Sequence, residues 1–479
     1  MNGATVSDVT QDRLHETAEA LLRSGGRMQM VYALKDANGT TELRYLADTA
    51  EPKRFVVWRC RPEGDPPSLA RIWPLLGWYE REAADLYGMR FAGHPEPLPL
   101  VLHHSTAAEN GNGRRNLPEV DAEAVQLLPF GPVRADVLES AEFTFLYIGE
   151  RIIHYVPHLF FKHRGMEQRF EGRDLRAGVV LAERVSAVGS VAHALAYCQA
   201  VEAACGCTVP ARARWLRVLL AELERLYNHL HYLGHLCNTT TLKVGEAEGK
   251  LLEERAKQIN ARLTGSRFLR SLLVPGGLRR DLSPGDWLGG ELERLREQAA
   301  RYTVRLDASE SHLDRLITTG VLPHQIAFDQ GATGPIQRAS GFDRDLRRDH
   351  AYAAYADLPL TVPVRQEGDG YARQRVRIEE IDAALVLMQR VLLLLPGGPV
   401  CAACTPRPGT EGLGWSESPR GSLFYAVHLG PDGHLARVKV KSPSFSNWRV
   451  FPSTVHDTNM MDYAINEASF GLTVAGCAR

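Results

Sequence analysis

In the stretch ARARWLRVLLAELERLYNHLHYLGHL, Leu216, Leu219, Leu223, Leu226, Leu230 and Leu233 recur every three or four positions, the period of one helix face. That pattern predicts a long bundle helix, and weaker versions of it predict helices over 250–263, 292–305 and 377–395. The first hundred residues behave differently. After a helical start at 12–23, apolar positions roughly alternate in MQMVYALKD, TTELRYLAD and RFVVWRCR, which predicts strands and a small α/β module. The module closes with WPLLGWYEREAADLYGMRFAGHPEPLPLVLHH, a predicted helix with Glu80 and Glu82 in its first turn, a stop at Gly88 and a proline-rich tail. HSTAAENGNGRRNLPEVDAEAVQ has no apolar period and is rich in polar residues, Asn and Gly, as a linker would be. A hairpin region in LLPFGPVRADVLESAEFTFLYIGERIIHYV then opens a second domain, helical from Leu175 onward and ending in a β-like stretch, SLFYAVHLGPDGHLARVKVKSPSF. The fold class read from this is α+β. A small α/β module over 1–104 and a linker over 105–127 precede a mainly helical bundle domain over 128–479, with no internal repeat.

A chain of 479 residues has room for two cores, and 44% hydrophobic with 24% charged residues is ordinary for globular domains. The formal net charge is -1 and no Lys/Arg block stands out, so composition argues against a nucleic-acid partner. The N-terminus has no basic stretch followed by an apolar one, so no secretory signal is expected. The longest apolar run, AALVLMQRVLLLLPGGPV, is interrupted by Arg390 and a Pro-Gly-Gly break, too short to span a bilayer. Membrane association is therefore expected through partners. Cys60, Cys198, Cys205, Cys207, Cys237, Cys401, Cys404 and Cys477 show no disulfide-framework spacing, which suits a reducing compartment.

Two distant sets of motifs resemble one family. WYEREAADLYGMRFAGHP resembles the small hydrophilic subunit beside the quinone-site subunit of respiratory complex I. HRGMEQRFEGR, VPARARWLRVLLAELERLYNHLHYLG, TGSRFLRSLLVPGG, RASG, ARQRVRIEEI, SPRGSLFY and RVKVKSPSFSNW resemble, in order, the adjoining large subunit. That subunit is homologous to the large subunit of membrane-bound nickel-iron hydrogenases, and the fused order is similar to formate hydrogenlyase and hydrogenase-4-type large subunits. The resemblance implies a bundle domain of the nickel-iron hydrogenase large subunit/complex I type.

In the hydrogenase branch, two Cys-x-x-Cys pairs give four thiolates to nickel, soft ligands that bind the metal deprotonated. Matched outward from ERV and His193, the first pair falls on Ser186 and Gly189; matched on SFGLTVAGCAR, the second falls on Thr473 and Gly476. None is a thiol. Cys198 lies nine residues past Gly189, about 13 Å along a helix, and Cys477, one step past Gly476, would point to the opposite face of an extended chain. No metal ligand is therefore expected, and no nickel-iron centre. In the complex I branch a His and a Tyr hold the quinone carbonyls. Those positions match His163 and Ala187 here, so the tyrosine is missing. By resemblance the cofactor-binding positions are His163, Ala187, Ser186 and Gly189. Glu167 matches the proton-transferring carboxylate, Arg420 the pocket arginine and His193 a pocket histidine. With His163 they form the candidate catalytic set, an acid, imidazoles and a guanidinium able to move protons or bind a polar headgroup.

Plainer readings stand beside these. Glu167 and Arg420 would also make a structural ion pair, and His163 a satisfied core histidine. CAAC at 401–404 is a single pair, where a structural zinc site needs two further ligands, and Cys205 and Cys207 read as packing residues. His231 and His235 share a helix face without a third ligand, which reads as packing or partner contact. The resemblance implies a subunit of a membrane-associated, complex I-like, hydrogenase-related oxidoreductase complex, peripheral on the cytoplasmic face of the inner membrane. Its metal-free pocket would serve a quinone, another acceptor or proton coupling. The implied partners are an iron-sulfur small subunit, since this chain has no run of cysteines for a cluster, and antiporter-like membrane-arm subunits. The alternatives are a non-catalytic scaffold for assembly and conformational coupling, and an active nickel-iron hydrogenase subunit.

Overall fold

The computed structural model describes residues 3–35, 39–102, 124–134 and 139–479. The alternating segments of the N-terminal module are strands: β1 (Thr5–Asp8), β2 (Arg27–Lys35), β3 (Thr41–Thr49) and β4 (Arg54–Cys60) form one sheet in the order β1-β4-β3-β2. Only the β1/β4 pair is parallel. Helix α1 (Leu14–Arg23) packs Leu14, Ala18 and Leu21 on it, and α2 (Gly77–Tyr87) stops at Gly88, which takes the left-handed conformation at φ 68°. Glu80 and Glu82 are buried, so they do more than favour a helix dipole. Glu80 accepts from Ser68 Oγ at 2.5 Å and Leu69 N at 2.8 Å.

Of the expected linker, 105–123 lies outside the described residues, and its last two positions, Gln126 and Leu127, already belong to a strand. Strands β5 (Gln126–Phe130), β6 (Glu142–Ile148) and β7 (Arg151–His158) make an antiparallel sheet. The helical part follows as α3 (Met166–Arg169), α4 (Leu175–Val185), α5 (Ser190–Cys205), α6 (Ala211–Thr239) and α7 (Lys243–Thr264). A two-stranded ribbon of β8 (Leu273–Val274) and β9 (Gly277–Leu278) leads to α8 (Asp286–Asp307). Four short helices, α9 (Glu310–Asp314), α10 (His324–Asp329), α11 (Pro335–Ala339) and α12 (Leu346–Asp349), precede the long α13 (Gly370–Leu394). The β-like ending is a three-stranded antiparallel sheet, β10 (Glu411–Ser418), β11 (Gly421–Leu429) and β12 (Leu435–Lys441), followed by α14 (Pro443–Val450), α15 (Tyr463–Phe470) and α16 (Val474–Ala478).

The leucine stripe of α6 is fully inside, as its period requires, but Glu222, Glu224, Arg225, Asn228 and His229 on its other faces are buried too. Such charges survive burial only when paired. Arg338 binds Glu380 at 2.6 Å and Glu417 at 3.0 Å; Arg225 reaches Glu380 at 3.2 Å; Arg347 binds Asp345 at 2.7 Å and Glu222 at 3.1 Å. His229 donates to Glu380 at 2.8 Å.

Helix α5 lies flush on β10 because Gly412 and Gly414 have no side chain there. A methyl group on either would stand 2.1 Å from a carbonyl oxygen of α5, that of Ala200 or Ala196. The N-terminal module docks on the other side of the same sheet through buried polar contacts. These include Arg44 with Glu411 at 3.2 Å, Lys441 with Gln29 at 2.8 Å and Lys439 with Glu82 at 2.5 Å. Among the described residues no single helix is long and apolar enough to cross a membrane.

Candidate functional site

Asp174 caps α4 by accepting from Arg176 N at 2.9 Å and Ala177 N at 2.8 Å, so the helix starts at a defined residue. It ends at Ser186, which is extended (φ −140°, ψ 115°), and after a short 3₁₀ turn over 187–189 the chain leaves as α5, bent by 115°. Ser186 and Gly189 thus sit on a corner between two helices. The C-terminal segment forms the opposing corner: Thr473 caps α16, its hydroxyl accepting from Gly476 N at 3.2 Å. Arg164 clamps the two together, donating to Arg184 O at 2.9 Å, Val185 O at 2.6 Å and Ala475 O at 3.0 Å.

The two corners meet. A β-carbon on Gly476 would lie 3.4 Å from Ser186 Oγ and 3.4 Å from Ser444 Oγ, and the Ser444 and Thr473 hydroxyls are 3.3 Å apart. A β-carbon on Gly189 would lie 3.3 Å from His193 Cδ2. Of the positions that align with thiolate ligands, Ser186 and Gly476 therefore meet, and the four together present two hydroxyls and two bare backbone sites. That donor set does not fit nickel or iron, which such a site holds through deprotonated sulfur. Cys198 is buried within α5, and burial pushes its thiol well above the usual range, as it does for Cys477. Neither is a thiolate at neutral pH.

The four residues of the candidate catalytic set occupy two places. His193 stands in the first turn of α5, buried, with Nδ1 2.9 Å from Tyr425 Oη; burial, with Arg164 nearby, lowers it to about 3, so it is neutral. Arg420 donates to Gly471 O and Asn228 Oδ1, both at 2.8 Å, and Asn228 in turn donates to Val188 O at 2.8 Å on the 187–189 turn. Arg420 is lowered by burial and by Arg377 to about 10 and stays charged. Ala187, at the quinone-tyrosine position, is exposed, so this corner reaches the surface.

His163 and Glu167 lie instead on a cleft of about 430 Å³ between α2 and the large domain, with Tyr87, Arg437 and Arg479 also on its wall. His163 donates from Nδ1 to Ala478 O at 2.7 Å, which leaves Nε2 as an acceptor. Glu167 is not paired with Arg420. Its partners are Arg437 at 2.7 Å, Lys439 at 3.1 Å, Arg479 at 3.6 Å and Val440 N at 3.1 Å. Burial works to raise this carboxyl, but Lys439, Arg437 and Arg479 outweigh it and hold it far below the usual carboxylate range. The two places are connected through the sheet, since Tyr425 of β11 is paired with Val440 of β12.

Glu224 was not legible as a site residue, yet it stands at this corner. It points from α6 to the start of α5, accepting from Val191 N at 2.7 Å and Ala192 N at 2.9 Å, where helix N–H groups lack partners. Fully buried, it is pushed up to about 7 by burial, against the pull of those two hydrogen bonds and of Arg420 and Arg225. The available signal was on α6 itself, where a helix with acids and an arginine on several faces must bury some of them. Because the folded chain holds this proton up to about pH 7 and the unfolded chain loses it near the ordinary 4.5, stability from this group is full below pH 4.5 and falls as pH rises to 7. In urea titrations, Glu224→Gln is expected to flatten that decline, gaining up to about 3 kcal/mol relative to wild type between pH 5 and pH 8. A parallel pH profile for both proteins would contradict the assignment.

Comparison with known proteins places this geometry. Residues 7–112 match the respiratory-chain NADH dehydrogenase 30 Kd subunit family, 164–262 the nickel-dependent hydrogenase family and 251–408 the respiratory-chain NADH dehydrogenase 49 Kd subunit family. The chain is 32% identical to formate hydrogenlyase subunit 5 of Escherichia coli over 405 residues, covering 80% of this chain and 71% of that one. It is 28% identical to the C/D subunit of the NADH-quinone oxidoreductase of Cereibacter sphaeroides over 488 residues, covering 87% and 82%. Among solved structures, a chain of the membrane-bound sulfane sulfur reductase, an archaeal respiratory membrane complex, superposes with a TM-score of 0.70 at 26% identity, over 75% of this chain and 100% of that one. This chain belongs to the family that joins the 30 kDa and 49 kDa subunits of respiratory NADH dehydrogenase with the large subunits of hydrogenases, in the fused arrangement.

Proposed function

We propose that the chain is a subunit of a membrane-associated, complex I-like oxidoreductase complex and couples electron transfer in its partners to proton movement without a nickel centre. One observation carries this reading. The two corners that meet at Ser186 and Gly476 offer no thiolate, while beside them Glu224 carries a proton at about neutral pH, with Arg420 linked to the same turn through Asn228. A carboxyl with that affinity changes its charge when a redox event nearby changes the local field. Arg420, oriented by Asn228, supplies a fixed donor for a polar acceptor, a quinone headgroup or another, reaching the corner from the exposed side at Ala187. The chain binds no redox cofactor directly in this reading. Electrons come from an iron-sulfur cluster in an adjoining small subunit, antiporter-like subunits form the membrane arm, and the assembly lies on the cytoplasmic face of the inner membrane. The relatives named formate hydrogenlyase, NADH-quinone oxidoreductase and sulfane sulfur reductase support the complex; the corner geometry supports the coupling.

One observation favours a scaffold: His193 and Glu167 already have protein partners for their polar atoms. Turnover of the native complex separates the two. With Glu224→Gln the coupling reading expects an assembled complex whose acceptor reduction falls about a hundredfold or more, the range typical for a lost proton-transfer group. Arg420→Gln, which removes the guanidinium at the corner, should weaken acceptor binding. Unchanged turnover in both assembled variants would establish the scaffold.

A further inference from the structure

Strand β12 places Arg437, Lys439 and Lys441 on one face, as its period of two requires. The first two are matched by Glu167 and Glu82. Lys441 is buried as well, yet its ammonium meets only neutral groups, Gln29 Oε1 at 2.8 Å and Ser422 Oγ at 3.2 Å. It lines a cavity of about 50 Å³ at the seam between the N-terminal module and the large domain, which shares no residue with the cleft at Glu167. Three arginines line the same cavity. Arg27, at the start of β2 and also buried, donates to Ala332 O at 2.8 Å and, with the Gln337 amide turned to accept, to Gln337 at 2.6 Å. Arg449 of α14 donates to Gln330 Oε1 at 2.8 Å, and its Nη1 is buried without a partner among the described residues. Arg344 lies close enough to Arg27 to repel it, and its side chain has no hydrogen-bond or ion-pair partner among the described residues.

The acids on the cavity wall are committed elsewhere. Asp48 is the cross-strand neighbour of Arg27, but its carboxylate binds His350 at 2.9 Å. Asp345 and Glu417 belong to the network of Arg338 and Arg347, and Asp349 binds Lys53 and Arg348. Among the described residues, none therefore forms an ion pair with Arg27, Arg344, Lys441 or Arg449. The cations instead oppose one another. Burial pushes Lys441 down to about 7 with Arg27 adding to it, and Arg27 down to about 9 with Arg344 adding to it. Buried charges of one sign are stabilised when an opposite charge faces them, and guanidinium groups match the edges of a phosphate-like ion. Size narrows the choice. One water needs about 10–15 Å³ of such space, so the cavity takes an ion of about phosphate size and has no room for a nucleoside attached to it.

We propose that this cavity binds one small tetrahedral oxyanion, phosphate or sulfate, between Arg27, Arg344, Lys441 and Arg449. Arg27 comes from the N-terminal module and the other three from the large domain, so the ion joins the two across their seam. Because it binds the assembled seam and not the unfolded chain, occupancy stabilises the fold by mass action.

The test uses the full chain, dialysed into a chloride buffer at neutral pH and titrated with inorganic phosphate in a calorimeter. One phosphate should bind per chain, raise the urea midpoint of unfolding and be displaced by sulfate. Arg344→Gln removes a side chain that holds nothing else in place, so it should fold as wild type does and bind phosphate about tenfold more weakly or worse, the loss of one charge-assisted hydrogen bond. Lys441→Gln should weaken binding by a similar factor, whereas Arg294→Gln, on the exposed surface of α8, should leave it unchanged. The absence of saturable binding below about 10 mM phosphate would overturn the proposal. So would an affinity that neither Arg344→Gln nor Lys441→Gln alters, or displacement by adenosine monophosphate as readily as by sulfate.

Discussion

Arg338→Met is expected to cost about 3–5 kcal/mol of stability, the range for removing one partner from a buried ion network. Arg338 is fully buried and faces Glu380 at 2.6 Å, Glu417 at 3.0 Å and Asp345 at 3.4 Å. Without it, those carboxylates and Glu222 keep only Arg225 and Arg347 as guanidinium partners. Glu417 is already pushed up to about 7 by burial and by Asp345. Losing Arg338 raises the carboxyls further, so the folded variant takes up protons that the unfolded chain does not. Its stability must then rise as pH falls from 8 toward 5.5. Urea titrations across that range check both points. A deficit under 1 kcal/mol, or one that grows toward acid pH, would show that the cluster does not hold the helices α6 and α13 to the β10 strand.

Glu167→Gln is expected to have a comparable cost, about 3–5 kcal/mol, for a different reason. This carboxylate and Glu82 are the acids shared by Lys439 and Arg479, and Arg437 depends on Glu167 as well. Replacing it leaves three buried cations around one carboxylate, across the seam between the N-terminal module and the large domain. The sign of the pH effect is opposite to that at Arg338. A carboxyl held below its ordinary 4.5 contributes stability at every pH above that value and loses it only as pH falls through the depressed value. The gap between wild type and variant should therefore be flat from pH 8 to pH 5. A gap that closes between pH 7 and pH 5 would mean that Glu167 exchanges its proton in that range, as a relay group does, rather than anchoring the seam.

Parts of this were legible in the chain and parts were not, for physical reasons. The leucine stripe of α6, the strands β2 to β4 and the stop of α2 at Gly88 follow from local period and local backbone preference. The corner was legible because Ser186, Gly189, Thr473 and Gly476 could be matched to motifs, and the structure brings Ser186 against Gly476. Strand β10 was not, since Gly412, Gly414 and Ser416 form a poor strand pattern that makes sense only under α5. Glu167 was singled out, but its partners Arg437, Lys439 and Arg479 come from the far end of the chain, where no local spacing reveals them. Glu224 was hidden for the same reason, because its role depends on the N–H groups of another helix.

The corner presents no thiolate, and one measurement bears on that directly. Nickel should be quantified in the complex purified from its native source through this subunit, alongside hydrogen-dependent turnover. We predict nickel well below one per chain and no hydrogen oxidation or evolution, in a preparation that still passes electrons to an acceptor. Nickel at one per chain, with activity that follows it, would contradict a thiolate-free site.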